Sequence, residues 1–352
     1  MHDLMVFCLE WHIQKSTAFV ELLAPIKPHV KIKMIAWDGI NFPMTTAEME
    51  KLALPIVFCQ LPPTDQCLKD YAEKLVWIPM WDHAKGYSDL WWQSLPRSLR
   101  VIAFSRSIAE KANNAGLRCL QLKYYLDPQK FSPVSWNGER TLYYWNRVGM
   151  VGPGFLKKLC QVQRIDTLLF LSQVDPLNPP SSAYNLPEKL GKTRVIQLPN
   201  FLDREEYLKI ISRANITIAP RLLEGVGFTF LEAMAQGCAV FAYDAPTMNE
   251  YITHLKNGYL VEPQKTTRLS KLNARIYQGM LSYMPQIPSG MSEVFSDAIR
   301  PVSKLQDWQE ISQLDLEILG KSARQSQSEG FTQWEKSISR YVEFVLEGKS
   351  LI

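Results

Sequence analysis

Two glutamates, Glu224 and Glu232, stand eight positions apart in the stretch RLLEGVGFTFLEAMAQG, Arg221 to Gly237. A carboxylate accepts two hydrogen bonds at once, so it suits the vicinal hydroxyls of a ribose or a sugar ring. The apolar run ITIA, Ile216 to Ala219, closed by Pro220, reads as a buried strand, and Glu224, Gly225, Val226 and Gly227 form the loop beyond it. From Phe228 to Gln236 the residues FTFLEAMAQ favour helix, and Gly237 sits where a glycine would stop it. Glu232 therefore lies one turn inside a helix whose first residues are Phe228 and Thr229.

A helix N-terminus presents unpaired N–H groups and a partial positive charge, which suits a phosphate or a polarised hydroxyl. Glycines at 225 and 227 would let a ligand approach the backbone. Gly225, Val226, Gly227, Phe228, Thr229 and Glu232 are accordingly candidates for binding such a ligand, with Glu232 on a ribose and Glu224 on a sugar ring. The plainer alternative is that both glutamates only complement the helix dipole.

The spacing of Glu224 and Glu232, with seven residues between them, resembles the E-x7-E signature of retaining nucleotide-sugar glycosyltransferases of the GT-B fold, specifically family four. The similarity extends through CAVFAYDAPTMNEYITHLKNGYLVEP, Cys238 to Pro263, with Glu250 and Gly258 at usual positions. More loosely it takes in VIAFSRSIAEKANNAG from Val101 and YLDPQKFSP from Tyr125. The resemblance implies two doubly wound Rossmann-like α/β domains facing across a cleft lined by the Glu224 loop. It also implies transfer on one face of the sugar without an enzymic nucleophile, the departing phosphate taking the acceptor's proton.

By the same resemblance Arg147, after the strand-like TLYYWN, grips the donor diphosphate, and His83 in MWDHAKGY faces the donor sugar. A guanidinium binds phosphate oxygens bidentately and stabilises the leaving group. The plain readings are a solvated arginine and an ordinary loop histidine; Asp82 is equally open. Arg147, Glu224 and His83 are thus the catalytic candidates. Relatives pair the arginine with a nearby lysine, whereas here VGMVGPG, Val148 to Gly154, holds none before Lys157. Either Lys157 reaches the phosphates or glycine N–H groups substitute. A second departure is LEWHIQKST, Leu9 to Thr17, which has no glycine where relatives carry a glycine-rich loop.

The elements that must position these residues alternate regularly. Strand-like runs begin at Leu4, Lys31, Pro55, Lys74 and Arg100, and again at Thr141, Thr167, Val195 and Ile216, with helical stretches between them near Phe19, Phe155 and Arg204. Such alternation means parallel sheets covered on both faces. At 352 residues and 46% hydrophobic content the chain can build two cores. The expected division is residues 1–133, an acceptor-side domain; 134–330, a donor domain; and 331–352, a terminal helix that by resemblance crosses back to the first domain. Asp127 to Trp136 is the expected linker, and Trp334, Ile338, Tyr341 and Val345 share one face of the last helix. After Pro263 the pattern is helical and less periodic, interrupted around Pro285 to Pro301.

The net charge of +4 and the absence of a basic run exclude a nucleic-acid footprint. Residues 1–130 carry 15 basic against 13 acidic side chains, which gives little charge for docking on anionic lipid. No basic, apolar leader and no long apolar span occur, so a cytoplasmic location is expected, with room for peripheral contact at the inner face of the membrane. The six cysteines show no CxxC pair and read as reduced structural residues; neither zinc nor another metal or cofactor is expected. Six of the ten tryptophans precede residue 93. Trp37 and Trp77 lie in strand-like runs, while Trp81, Trp91 and Trp92, in or beside loops, are acceptor candidates.

These readings converge on a hexosyltransferase. It takes a nucleoside-diphosphate sugar as donor and a saccharide or lipid-linked saccharide as acceptor, in surface-polysaccharide assembly. The alternative is an inactive GT-B protein that binds a nucleotide sugar or serves as an assembly partner. A nicotinamide-dependent oxidoreductase is disfavoured because no GxGxxG follows the first strand.

Overall fold

The computed structural model describes residues 3–14, 18–39, 42–147, 151–173, 184–200, 202–219, 221–262 and 310–347. Pro220, residues 148–150 of the loop after Trp145, Pro263 and the stretch 285–301 lie outside the described residues. The chain forms two units. One comprises residues 1–125, 223–228 and 329–352, the other 126–222 and 229–328.

In the first unit, strands β1 (Asp3–Cys8), β2 (Lys31–Ala36), β3 (Ile56–Cys59), β4 (Leu75–Ile78), β5 (Arg100–Ala103) and β6 (Arg118–Gln121) make one parallel sheet in the order β2-β1-β3-β4-β5-β6. The central runs IVFC and LVWI are buried along their whole length, as strands covered on both faces must be. The sequence pattern misses β6, whose RCLQ, at the edge of the sheet, buries only Leu120 and so lacks an apolar run. Order reverses between β1 and β3, the place where doubly wound sheets open a crevice beyond their carboxyl ends.

The second unit's parallel strands are β7 (Thr141–Trp145), β8 (Thr167–Leu171), β10 (Thr193–Leu198), β11 (Ile216–Ile218), β12 (Ala239–Tyr243) and β13 (Tyr259–Val261). Two residues, β9 (Lys189–Leu190), pair antiparallel with β10 at the edge. The order β13-β12-β11-β7-β8-β10-β9 is the dinucleotide-fold arrangement, with its reversal between β7 and β11. Asn215 fixes the chain where it enters this sheet: its amide donates to the Ser135 and Glu139 carbonyls at 3.1 and 2.7 Å, and its oxygen accepts from Thr141 N–H at 3.0 Å.

The helices of the first unit are α1 (Glu10–Gln14), α2 (Ala18–Leu23), α3 (Thr46–Lys51), α4 (Asp65–Tyr71), α5 (Trp81–Ala84), α6 (Asp89–Ser94) and α7 (Arg106–Asn114); then come α8 (Pro153–Val162), α9 (Arg204–Ile211), α10 (Phe228–Gln236) and α11 (Met248–Tyr251). The final helix, α12 (Gln313–Leu346), runs 34 residues and starts well before the segment 331–352 that the sequence marks as terminal helix. Its later half belongs to the first unit, where Trp334, Tyr341 and Val345 are buried and Tyr341 donates to the Leu22 carbonyl at 3.0 Å. Its earlier half braces α10 in the second unit: Arg324 donates to the carbonyls of Ala235, Pro128 (2.7 Å) and Phe131 (3.2 Å). These bonds satisfy a last-turn carbonyl of α10 and fix the helix that carries Glu232.

All six cysteines are free thiols, and all except Cys119 are buried. Among the described residues no helix is long and apolar enough to cross a membrane, and no three His, Cys, Asp or Glu side chains cluster to hold a metal.

Candidate functional site

The second unit gathers its chemistry beyond the carboxyl ends of its strands. Arg147 follows β7, half-buried, with its guanidinium 4.9 Å over the Trp145 ring. α8 begins shortly after at Gly152, an N-cap without a capping side chain, so the opening amides of this ten-residue helix face no side-chain acceptor of that residue. Lys157 is exposed in the helix's second turn. The loop Arg221 to Gly227 leaves β11, the strand adjacent to β7. Arg147 and this loop thus start from the two strands that flank the reversal of order.

Glu232 is 3% exposed, and its carboxylate meets Arg204, whose Nη2 lies 2.6 Å from Oε1. Arg204 opens α9, where Asp203 caps by accepting from Glu206 N–H at 2.8 Å and Glu205 and Glu206 complete an acidic first turn. A cation at this end opposes the helix dipole. Its carboxylate partner offsets that penalty. Beneath the ion pair, the Arg204 guanidinium is 5.9 Å over the Tyr207 ring, which meets Tyr143 edge-on at 6.2 Å. Desolvation pushes both tyrosine hydroxyls well above their ordinary pKa, and the negative charge of Glu232 adds to it. Both therefore stay neutral hydrogen-bonding groups at any physiological pH. The assembly is a buried carboxylate paired with one arginine above two phenols, rich in donors, which suits a polyol.

Sequence reasoning did not single out Arg204, Tyr143 or Tyr207. The one legible signal is a basic residue in an otherwise acidic, well-capped first helical turn.

In the first unit, Glu224 and Val226 are each 4% exposed. Gly225 is half-buried, and a Cβ there would come within 2.8 to 3.1 Å of three Met80 side-chain atoms, so the glycine also makes room for Met80. Gly227 has φ +83, a left-handed turn that glycine adopts without strain. Phe228 packs on Tyr124, centroids 5.2 Å apart, and Thr229 is buried.

His83 lies on α5, just beyond the carboxyl end of β4, exposed and paired with the Tyr87 hydroxyl at 3.1 Å. Tyr87 stacks on Trp91 at 4.1 Å, and Trp81 and Trp91 pack partly buried on the core cluster. Trp92 is corrected as an acceptor candidate: it is 1% exposed and stacked on Trp77 at 5.1 Å, inside the core. Adjacent helical positions point to different faces, so Trp91 and Trp92 could not share one environment. At the β1–β3 reversal, where the sequence lacks the glycine-rich loop, His12 instead pairs with Gln60 Oε1 at 2.6 Å.

Residues 180–280 match the family model described as glycosyl transferases group 1. Among solved structures the chain is similar to a sucrose-phosphate synthase from Thermosynechococcus elongatus, at 15% identity over 97% of each chain with a TM-score of 0.61. It is also similar to HepE from Anabaena in complex with UDP and glucose, at 14% identity over 97% of this chain and 100% of that one, TM-score 0.57. WaaG, a glycosyltransferase involved in lipopolysaccharide biosynthesis, aligns at 12% identity over 98% and 100%, TM-score 0.54. A sequence search of curated proteins gives no match. At such identities the likeness carries the fold, and the fold is that of the GT-B glycosyltransferases.

Proposed function

We propose that this chain is a retaining glycosyltransferase that moves a hexose from a nucleoside diphosphate to a hydroxyl of a saccharide or lipid-linked saccharide. The observation that carries the reading is Glu232, a nearly buried carboxylate on the helix that follows the strand-order reversal of a dinucleotide-type sheet. It falls, with Glu224, inside the segment matching glycosyl transferases group 1. Glu232 takes the ribose hydroxyls, and Arg147 takes the diphosphate together with the opening amides of α8. Lys157 reinforces them as a second charge.

In the transfer, the bond between the anomeric carbon and the phosphate oxygen breaks while the acceptor oxygen bonds to the same face. The acceptor's proton passes to the departing phosphate. Arg147 stabilises the charge that grows on that phosphate, Glu224 orients the sugar ring through its hydroxyls, and His83 is the further catalytic candidate. Trp81 and Trp91 offer aromatic faces to the acceptor. HepE was crystallised with UDP and glucose, in line with a nucleotide-hexose donor, and WaaG is involved in lipopolysaccharide biosynthesis, in line with a surface-polysaccharide setting; the proposed place of action is the cytoplasm or the inner membrane face.

The test is thermal unfolding with UDP, GDP, ADP, CMP and NAD, on wild type and Glu232→Gln. A ligand at ~100 times its Kd contributes about 2.7 kcal/mol, which moves the midpoint by a few degrees. Stabilisation by one nucleoside diphosphate, absent in the variant, supports the assignment and names the base. Stabilisation by NAD alone, or by none of the five, sinks it.

A further inference from the structure

We infer that Arg204 is the positioning residue of the ribose site: through its ion pair it holds the Glu232 carboxylate charged and in one rotamer, so that the carboxylate discriminates a ribose from a 2′-deoxyribose. The inference rests on the donor site proposed above.

Glu232 is almost wholly withdrawn from water, and a lone buried carboxylate is costly enough to neutralise or turn away. A neutral acid offers one acceptor pair fewer and a donor in its place, so it grips a diol less well. Around Glu232 the structure sets Arg204 and Tyr207 from α9 and Tyr143 from β7, with Arg147 near enough to act electrostatically on Tyr143. Arg204 is in direct ionic contact with the carboxylate, at 2.6 Å, and its side chain is 40% exposed. Tyr207, under the guanidinium at 5.9 Å, supports it from the core side. Arg204 stands where the helix dipole disfavours a cation, and Glu232, with the acidic neighbours Asp203, Glu205 and Glu206, offsets that.

The experiment is calorimetric titration of UDP, GDP and ADP, each beside its 2′-deoxy form, into wild type, Glu232→Gln, Arg204→Gln and Arg204→Lys. Wild type is expected to prefer one ribonucleotide over its deoxy form by roughly tenfold or more, the size of a hydrogen bond to a charged group. Arg204→Gln should lose most of that preference as Glu232→Gln does, weakening the ribonucleotide more than its deoxy form, and a circular dichroism spectrum like wild type shows that the variant is folded. Arg204→Lys, keeping the charge, should regain part of it.

If Arg204→Gln keeps the wild-type ratio that Glu232→Gln loses, the inference is wrong and the donor site stands. If it weakens both forms alike, Arg204 touches the ligand itself and the positioning role is overturned. Wild type that binds no nucleotide, or shows no preference, removes the ribose assignment and this inference together.

Discussion

The guanidinium of Arg100, on the first residue of β5, donates through Nη1 to the carbonyl of Phe344 at 2.9 Å and of Val345 at 3.2 Å. Arg100 is completely buried, and those carbonyls end the long helix α12. A helix C-terminus carries unpaired carbonyls and partial negative charge, so a cation is the fitting partner. Desolvation lowers the guanidinium's pKa, and Glu347 at 3.7 Å partly restores it.

Arg100→Met should therefore lower stability by about 2–4 kcal/mol, because it leaves buried carbonyls unsatisfied. Glu347→Gln, removing a partly exposed and longer contact, should cost less than about 1 kcal/mol. Urea unfolding followed by fluorescence separates the two; equal losses would place the anchoring in the surface ion pair instead.

Gly320 lies where α12 crosses the end of α10. A methyl group there would fall well inside contact distance of the Gly237 carbonyl and 2.7 Å from the Trp136 ring. Alanine normally favours a helix over glycine by about 1 kcal/mol, yet Gly320→Ala should destabilise by about 2 kcal/mol or more, since backbone cannot move aside cheaply. Gly154→Ala, with nothing within 4 Å, should leave stability unchanged or raise it by up to about 1 kcal/mol. Thermal melts of both variants decide whether the close crossing holds α10 in place.

Among the proposed site residues, Arg147→Gln should reduce kcat/KM by roughly 10²–10³, as loss of a charge-stabilising donor does. Glu224→Ala should spare nucleotide binding and abolish transfer. Calorimetry beside product formation checks the split, and wild-type turnover by Glu224→Ala would remove that residue from the site.

Burial raises the thiols of Cys160 and Cys238 from 9.0 to about 12, with hydrogen bonds from Thr193 and Thr217 opposing the shift. Below pH 9 both states keep these protons and the thiols have no effect on stability's pH dependence. Between pH 9 and about 12 the unfolded chain ionises while the folded one does not, so stability falls as pH rises, by about 1.4 kcal/mol per unit for each thiol. Melting midpoints should decline above pH 9, and less steeply in Cys160→Ala than in wild type once each is referenced to its own value at pH 8.

What the sequence made legible depended on how local the cause was. TLLFL and AVFAY are wholly buried strands because a parallel sheet covered on both faces demands unbroken apolar runs, and such runs are visible in the residues themselves. α10 runs from Phe228 to Gln236 with Gly237 at φ +84 beyond it, as its composition and stop residue dictate. Arg204 escaped because its partner is 28 positions away and no periodicity links them. Trp92 misled because neighbouring tryptophans look alike in a string while helix geometry turns one of them inward. At Gly225 a glycine marks close approach, but only the fold shows that Met80 lies on its Cβ side.

The bond from Arg100 to Phe344 spans 244 positions of chain. A ribosome that has finished β1 to β6 has therefore not yet made the helix that covers Phe104 and supplies the Tyr341 contact to Leu22. The unit begun first in synthesis is completed last, and until then its apolar face stays open to chaperones and to other nascent chains.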